Sequence, residues 1–280
     1  MARSLHDKVL VITGASSGIG AATAIEAGAH GMKVVLAARR IGKLEEVTAA
    51  VRGVGGDAMA VRTDVNDPLQ VRDLIDRAVH HFGRLDAIFA NAGFGAFHRL
   101  IDPTHAELER RMWETNYFAA VECIRAAGRV MIDRKQGGHI LICSSVAGLT
   151  GLPYKGTYAA TKGALHALAA SLRVELEEHS IYVSSVYPAA TETEFSATAH
   201  SLSGPHTPRP HTPRVALQTP EHVARCIVSC LRRPRPEVWP SRASHGAAVT
   251  WSLFPRLRAA SFRGAARDAR RRLSEKPREV

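Results

Sequence analysis

One stretch constrains this chain more than any other: Val9-Leu10-Val11-Ile12-Thr13-Gly14-Ala15-Ser16-Ser17-Gly18-Ile19-Gly20. Four aliphatic residues, three of them β-branched, run into Thr-Gly, and an alanine-rich segment begins just after Gly20. A buried strand, a glycine turn and a helix start fit that order. Glycine lets the backbone bend sharply and approach a ligand with no Cβ in the way. The free N–H groups of a helix start, at the positive end of its dipole, suit a phosphate. The glycines at 14, 18 and 20 differ in spacing from the commoner Gly-x-Gly-x-x-Gly fingerprint. The turn alone therefore leaves open both a phosphate site and a plain glycine turn.

The rest of the chain repeats this unit. Residues 21–31 read as a helix closed by Gly31, and Val34–Ala38 as a second strand ending at Arg39 and Arg40. Helix 43–54 leads to strand Ala58–Val61 and on to Thr63-Asp64-Val65. Asp67 is placed to cap the next helix, with Pro68 at its first position, and that helix runs to Phe82-Gly83. Leu85–Ala90 is a fourth strand, ending in Asn91-Ala92-Gly93. Strand and helix alternating this way mark parallel βαβ units. Residues 104–134 are helical, and Asn116 in their middle competes for backbone hydrogen bonds and predicts a local distortion. His139–Cys143 is a fifth strand ending in Ser144-Ser145, followed by a glycine-rich loop with Pro153. Helix 158–179 and strand Ile181–Tyr187 come next. Pro-His-Thr-Pro-Arg then occurs twice over residues 205–214, and its prolines exclude helix or central strand. Residues 189–218 thus read as a mobile substrate loop, with a short helix fitting before the repeat. A helix over 221–233, led by Pro220, and a strand at Glu237–Trp239 follow. The expected architecture is α/β: a three-layer αβα, Rossmann-type, doubly wound parallel sheet of about seven strands. It is expected as one domain over 1–245, with 246–280 an apolar, then arginine-rich extension.

Charge is divided unevenly. Residues 1–208 hold 21 Lys/Arg and 21 Asp/Glu, whereas 209–280 hold 16 and 5, so the whole net charge of +11 sits in the last quarter. A neutral core argues against a nucleic-acid partner, and the basic end suits phosphates, lipid headgroups or an acidic partner. No stretch approaches the roughly 20 apolar residues of a membrane span. Fewer than ten residues precede the first strand, too few for a signal peptide. Cys123, Cys143, Cys226 and Cys230 show no metal or disulfide spacing and read as reduced thiols. A cytoplasmic protein without a metal site is expected.

The chemistry gathers at the strand ends. Tyr158 and Lys162 are four apart on one helix and share a face. An ammonium beside a phenol stabilises phenolate and draws the tyrosine below its usual pKa of about 10. That makes a proton donor and acceptor usable near neutrality. Such a pair alone is an ordinary surface couple, but Ser145 stands at a strand end thirteen residues earlier. Carboxyl ends of strands are where α/β sheets hold ligands, so the glycine turn, the strand ends and the Tyr158–Lys162 face converge on one crevice. At the end of the second strand an acid would take a ribose 2′-hydroxyl, whereas an arginine accommodates a 2′-phosphate. Arg39 and Arg40, with no acid beside them, favour NADP over NAD.

Thr13-Gly14, Gly18-Ile19-Gly20, Asp64-Val65, Asn91-Ala92-Gly93, Asn116, Ser145, Tyr158, Lys162 and Pro188 to Thr193 stand in order across about residues 6–195. In these the chain resembles the short-chain dehydrogenase/reductase family. The resemblance implies a nicotinamide cofactor with Gly14, Ser16, Ser17, Gly18, Ile19 and Gly20 around its pyrophosphate. Asp64 and Val65 would hold the adenine. Asn91, with Ala92 and Gly93, would support the sheet beside the cofactor, and Pro188 and Thr193 would meet the nicotinamide. Tyr158 would be the acid/base, and Lys162 would hold the nicotinamide ribose and lower the tyrosine pKa. Ser145 would bind the substrate oxygen, and Asn116 would hold a water linking Lys162 to solvent. The family's usual Asn-Asn-Ala-Gly begins here with Ala90, and its Pro-Gly is Pro188-Ala189. Alanine tolerates positive φ poorly, so a reshaped loop at Thr193 is expected.

An NADP-dependent oxidoreductase interconverting a carbonyl and a secondary alcohol follows. The alternative is an NADP-binding sensor or scaffold without turnover, which would be expected to lose the tyrosine or lysine that this chain keeps. Phe94, Phe97, Leu149, Leu152, Tyr187 and Phe195 are expected to line an apolar pocket. That favours a lipophilic substrate (steroid-like, retinoid-like or acyl) over a sugar. Trp251, Phe254, Leu257 and Phe262 among arginines allow a basic amphipathic helix at a membrane surface. The favoured reading is a helix packed on a neighbouring subunit or over the pocket. The resemblance also implies a homodimer or homotetramer built on the long helices that hold Asn116 and Tyr158.

Overall fold

The computed structural model describes residues 2–203, 207–208 and 217–274, with the backbone alone at His200 and at 272–274. The first half runs β1 (Val9–Thr13), α1 (Gly18–Ala29), β2 (Lys33–Ala38), α2 (Ile41–Gly53), β3 (Asp57–Arg62), α3 (Pro68–Phe82) and β4 (Ala87–Ala90). Then α4 (Ala106–Trp113), a π-helical turn at Glu114–Phe118 and α5 (Ala119–Asp133) form one long helical stretch before β5 (Gly138–Cys143). The chain continues through α6 (Val146–Thr150), α7 (Gly156–Glu175), β6 (Ile181–Val186), α8 (Glu194–Ser201), α9 (Pro220–Arg232) and β7 (Glu237–Val238). It ends in α10 (Arg242–Leu253) and α11 (Pro255–Ser274).

The seven strands are parallel in the order β3-β2-β1-β4-β5-β6-β7. Alternate residues of each strand face opposite layers. Leu10 and Ile12 of β1 pack with Ala24 of α1, Leu44 of α2 and Ile227 of α9. Val9 and Val11 pack with Leu74 of α3, Ile124 of α5 and Leu165 of α7. Both faces are covered, which is why the strands read as unbroken apolar runs. The doubly wound αβα sandwich expected from the sequence is the fold observed.

Local chemistry sets the ends. Asp67 caps α3 by accepting from Leu69 N at 2.9 Å and Gln70 N at 3.4 Å, and Gly83 closes the helix at φ +74. β4 starts at Ala87 rather than Leu85, because the Asp86 carboxylate takes the Val9 N–H at 2.9 Å and the Arg84 guanidinium at 2.6 and 2.7 Å. The distortion expected at Asn116 is the π turn. Part of the loop expected after β5 is instead α6. Ser145 caps it through Ala147 N at 3.2 Å, and Gly148 lies so close to the Lys162 carbonyl that a Cβ there would collide. The helix expected over 158–179 starts at Gly156, stops at Glu175 and gives way to a 3-10 turn at Glu177–His179.

Ala189 does not take a positive φ. Its N–H donates to Gln218 Oε1 at 3.0 Å, and Thr191 bridges Gln218. An ordinary backbone thus replaces the glycine conformation that the resemblance implied, and Thr193 still reaches the glycine turn. The short helix before the repeat is α8, while the repeat lies outside the described residues apart from Thr207 and Pro208.

The C-terminal helices return to the sheet. Tyr187 stacks on Trp239 at 4.5 Å and Trp239 on His245 at 4.3 Å, which ties α10 to the sheet edge. Trp251 meets Phe262 edge-on at 5.2 Å, and Arg270 donates to the Tyr154 hydroxyl at 3.2 Å. Among the described residues no helix is long and apolar enough to cross a membrane.

Candidate active site

The strand order reverses between β1 and β4, and an open sheet binds ligands outside its carboxyl edge at such a switch point. A cleft of about 1240 Å³ lies there. Of the candidate residues, Gly14, Ser16, Ser17, Gly18, Ile19, Arg39, Arg40, Asp64, Val65, Asn91, Ala92, Gly93, Ser145, Tyr158, Lys162, Pro188 and Thr193 all line it. Gly20 and Asn116 stand one layer behind. Gly20 packs on the Gly14 carbonyl with no room for a Cβ. Asn116 sits against Gly93 and Phe94.

Gly14 has φ +66, and a Cβ there would approach Ala92 Cα to 2.9 Å. The turn is fastened to β4 by Asn91, whose Nδ2 donates to Thr13 O at 2.9 Å and Gly14 O at 3.3 Å. Thr13 Oγ1 accepts in return from Asn91 N at 3.0 Å and Ala92 N at 3.1 Å. Ser17 caps α1 with its backbone only, so no side chain takes the helix's first N–H groups. Those donors and the helix dipole point an anion site at the cleft. Arg40 reaches over the same turn, donating to Ser16 Oγ and Ser17 Oγ at 3.0 Å each. It also pairs with Glu194 of α8 at 2.8 Å. Asp64 turns its chain with Oδ1 accepting from Asn66 N at 3.0 Å.

Across the cleft, Tyr158 and Lys162 project from the first turns of α7 and both are buried. Burial lowers the Lys162 ammonium, which donates to the Cys143 carbonyl at 2.7 Å. Burial raises the Tyr158 phenol above its ordinary value, Cys143 adds to this, and a hydrogen bond with Ser145 opposes it. The sequence predicts that Lys162 lowers Tyr158. In the structure desolvation is the largest influence on the phenol and raises it. Ser145 stands beside the phenol at the β5 end and caps α6. The Asn116 side chain is fully engaged: Oδ1 accepts from Phe94 N, and Nδ2 donates to Phe94 O, both at 2.9 Å, and to Thr161 Oγ1 at 3.1 Å. It fixes the strand-end segment against α7 beside Lys162.

Phe94, Phe97, Leu152 and Phe195 line the outer cleft as expected, and Leu149 and Tyr187 do not. Tyr187 is wholly buried, with its hydroxyl bonded to His166 and its ring on Trp239. It continues the inward alternation of β6 into the core. Leu149 lies on α6, turned from the cleft. Sequence reasoning missed Lys155, Glu194, Arg111 and Leu202, all of which line the cleft; Trp251 lines it too, in keeping with the reading of its segment as packed over the pocket. Lys155 was within reach of a local argument, being three residues before Tyr158. Glu194 carries no local signal, because tertiary packing brings it in.

The matched family model is that of the short chain dehydrogenases, covering residues 8–202. An uncharacterised oxidoreductase YxnA of Bacillus subtilis is 34% identical over 257 residues, covering 91% of this chain and 71% of that protein. A short-chain dehydrogenase/reductase of Burkholderia phymatum in complex with NAD superposes with a TM-score of 0.80 at 27% identity, over 91% of this chain and 96% of that one. An alcohol dehydrogenase of Thermococcus sibiricus complexed with 5-hydroxy-NADP gives 0.70 at 28%, over 82% and 94%. With the sheet order, the glycine turn and the serine, tyrosine and lysine at one cleft, this chain belongs to the short-chain dehydrogenase/reductase family, as an oxidoreductase that acts on CH–OH groups with a nicotinamide cofactor.

Proposed function

We propose that the protein is an NADP-dependent oxidoreductase that interconverts a lipophilic carbonyl compound and its secondary alcohol. The observation that carries this reading is the shared cleft: a glycine turn with an uncapped helix start on one side, and Ser145, Tyr158 and Lys162 on the other. A cradle that a Cβ would fill at Gly14, together with the free N–H groups of α1, fits a dinucleotide pyrophosphate. Arg40 with Ser16 and Ser17 fits a 2′-phosphate, with Arg39 beside it. When bound, the cofactor gives or takes the hydride.

The chain's own groups handle the oxygen. Tyr158, kept as a neutral phenol by burial, donates its proton to the carbonyl oxygen as negative charge develops there. Ser145 gives that oxygen a second hydrogen bond. Lys162 donates to the Cys143 carbonyl within the same buried layer, and Asn116 fixes the backbone of Phe94 on which the arrangement rests. The aromatic outer wall and Trp251 suit an apolar substrate body. Exposed Phe118 and Val174, on the long helices, suit a homodimer or homotetramer interface.

The test follows NADPH and NADH oxidation in parallel against ketones and aldehydes graded from small polar to bulky apolar. Turnover of bulky members with NADPH preferred is the expected result. Tight NADPH binding with no turnover of any member would overturn the enzymatic reading.

A further inference from the structure

Lys155 has an unusual position for a lysine. It is the residue before α7, and its backbone is held at both groups: N–H to Leu152 O at 3.1 Å, and carbonyl to Ala159 N at 2.9 Å. The preceding Tyr154 has φ +64, a conformation that bulky residues rarely adopt. Tyr154 is clamped in it from two sides, its carbonyl accepting from His98 N at 2.9 Å and its hydroxyl from Arg270 at 3.2 Å. Backbone strain maintained this way accompanies functional placement of the adjoining side chain. Here the result is to direct Lys155 into the cleft.

Inside the cleft the ammonium lies among three rings. Nζ is 4.3 Å from the Phe97 ring centre, 5.7 Å from that of Tyr158 and 5.9 Å from that of Phe195. Among the described residues no carboxylate lies within ion-pair distance of it. Of the other cations of the cleft, Arg40 has Glu194 and Lys162 has the Cys143 carbonyl, while Arg111 lies 5.9 Å from the centre of a single ring, that of Phe94. Burial pushes the Lys155 ammonium down to about 8, and no neighbouring charge offsets that. A cation placed against aromatic faces with no counter-charge is complete when an anion arrives.

We infer that Lys155 is the anion-recognition residue of the substrate pocket, and that the substrate joins an apolar body to a carboxylate close to its carbonyl. The rings of Phe97 and Phe195 would pack the body, while the carboxylate takes a charge-assisted hydrogen bond from Nζ. With the carboxylate held there, the substrate's carbonyl is presented to Tyr158, which shares the aromatic cage. This assignment rests on reading the cleft as a carbonyl-reducing site, and its test has an arm that does not need turnover.

In the first arm, NADPH oxidation is followed with benzoylformate and benzoylpropionate and with their ethyl esters. The acid-to-ester ratio of kcat/KM is expected to exceed about tenfold in the natural protein for at least one pair, through KM. It should fall at least about tenfold in Lys155→Met and survive in Lys155→Arg. Equal use of acids and esters by the natural protein, or an equal loss for both in Lys155→Met, would overturn the assignment. In the second arm, calorimetry on the NADPH-loaded protein compares hydrocinnamate with hydrocinnamamide. Preference for the acid that vanishes in Lys155→Met supports the assignment; equal binding overturns it. If no ketone is turned over yet hydrocinnamate still binds through Lys155, the failure belongs to the enzymatic reading and not to the anion site.

Discussion

Burial governs the protonation of Tyr158 and Lys162, in opposite directions, and keeps the phenol neutral at ordinary pH. A neutral phenol next to Ser145 is the donor that carbonyl reduction requires. At the far end of the cleft, Arg40 is the residue on which the proposed NADP preference rests. Its contacts to Ser16, Ser17 and Glu194 show a guanidinium already arranged around anionic and hydroxyl oxygens. Arg40→Ala should raise KM for NADPH by about tenfold to a hundredfold, the worth of a charge-assisted hydrogen bond, and leave KM for NADH within about twofold. Steady-state kinetics with both cofactors checks this, and equal losses would remove Arg40 as a phosphate ligand. Residues whose partners are close in sequence were legible without the structure. Tyr158 and Lys162 are a turn apart, and Gly14, Gly18 and Gly20 form one short segment. Glu194 and the inward turn of Tyr187 were not, because each depends on which layer a distant segment packs against.

Among the elements, the long helical stretch from α4 to α5 shows how a local rule reaches the site. Asparagine resists regular helix, and at Asn116 the helix widens into a π turn whose side chain bonds both backbone groups of Phe94. β5 carries a different constraint. His139 sits at its start, bonded through Nε2 to Ser184 Oγ of β6 at 2.8 Å, and burial followed by Arg3 pushes its imidazole down to about 3. An unfolded histidine titrates at about 6.5. Between these values the unfolded chain binds a proton that the folded chain does not. This histidine's contribution to stability is therefore intact above about pH 6.5 and declines below it, by up to about 1.4 kcal/mol per pH unit. Urea melts of the natural protein and of His139→Leu at about pH 7 and about pH 5 should show the mutant less acid-sensitive; parallel losses would assign the acid sensitivity elsewhere. The strand and helix alternation was legible because both faces of the sheet are covered and the strands are uniformly apolar. α6 was not, since its packing of Gly148 on the Lys162 carbonyl is a tertiary contact.

Across the whole molecule, charge and fold divide differently. The excess of basic residues lies beyond residue 208, yet α10 and α11 return to the cleft and the sheet edge through Trp251, His245 and Arg270. The basic end is thus partly a wall of the site. Trp251→Ala should raise KM for bulky apolar substrates by roughly tenfold while NADPH affinity holds, as expected for losing one large apolar contact. Competition kinetics with small and bulky ketones would detect this, and an equal change for both sizes would contradict the wall. The central claim is that one cleft joins cofactor binding to proton transfer by Tyr158. Its most direct measurement compares NADPH binding and ketone-dependent NADPH oxidation in the natural protein and in Tyr158→Phe. The account predicts unchanged NADPH affinity with turnover lower by about 100-fold to 10,000-fold. A Tyr158→Phe protein that reduces ketones at the natural rate would contradict it.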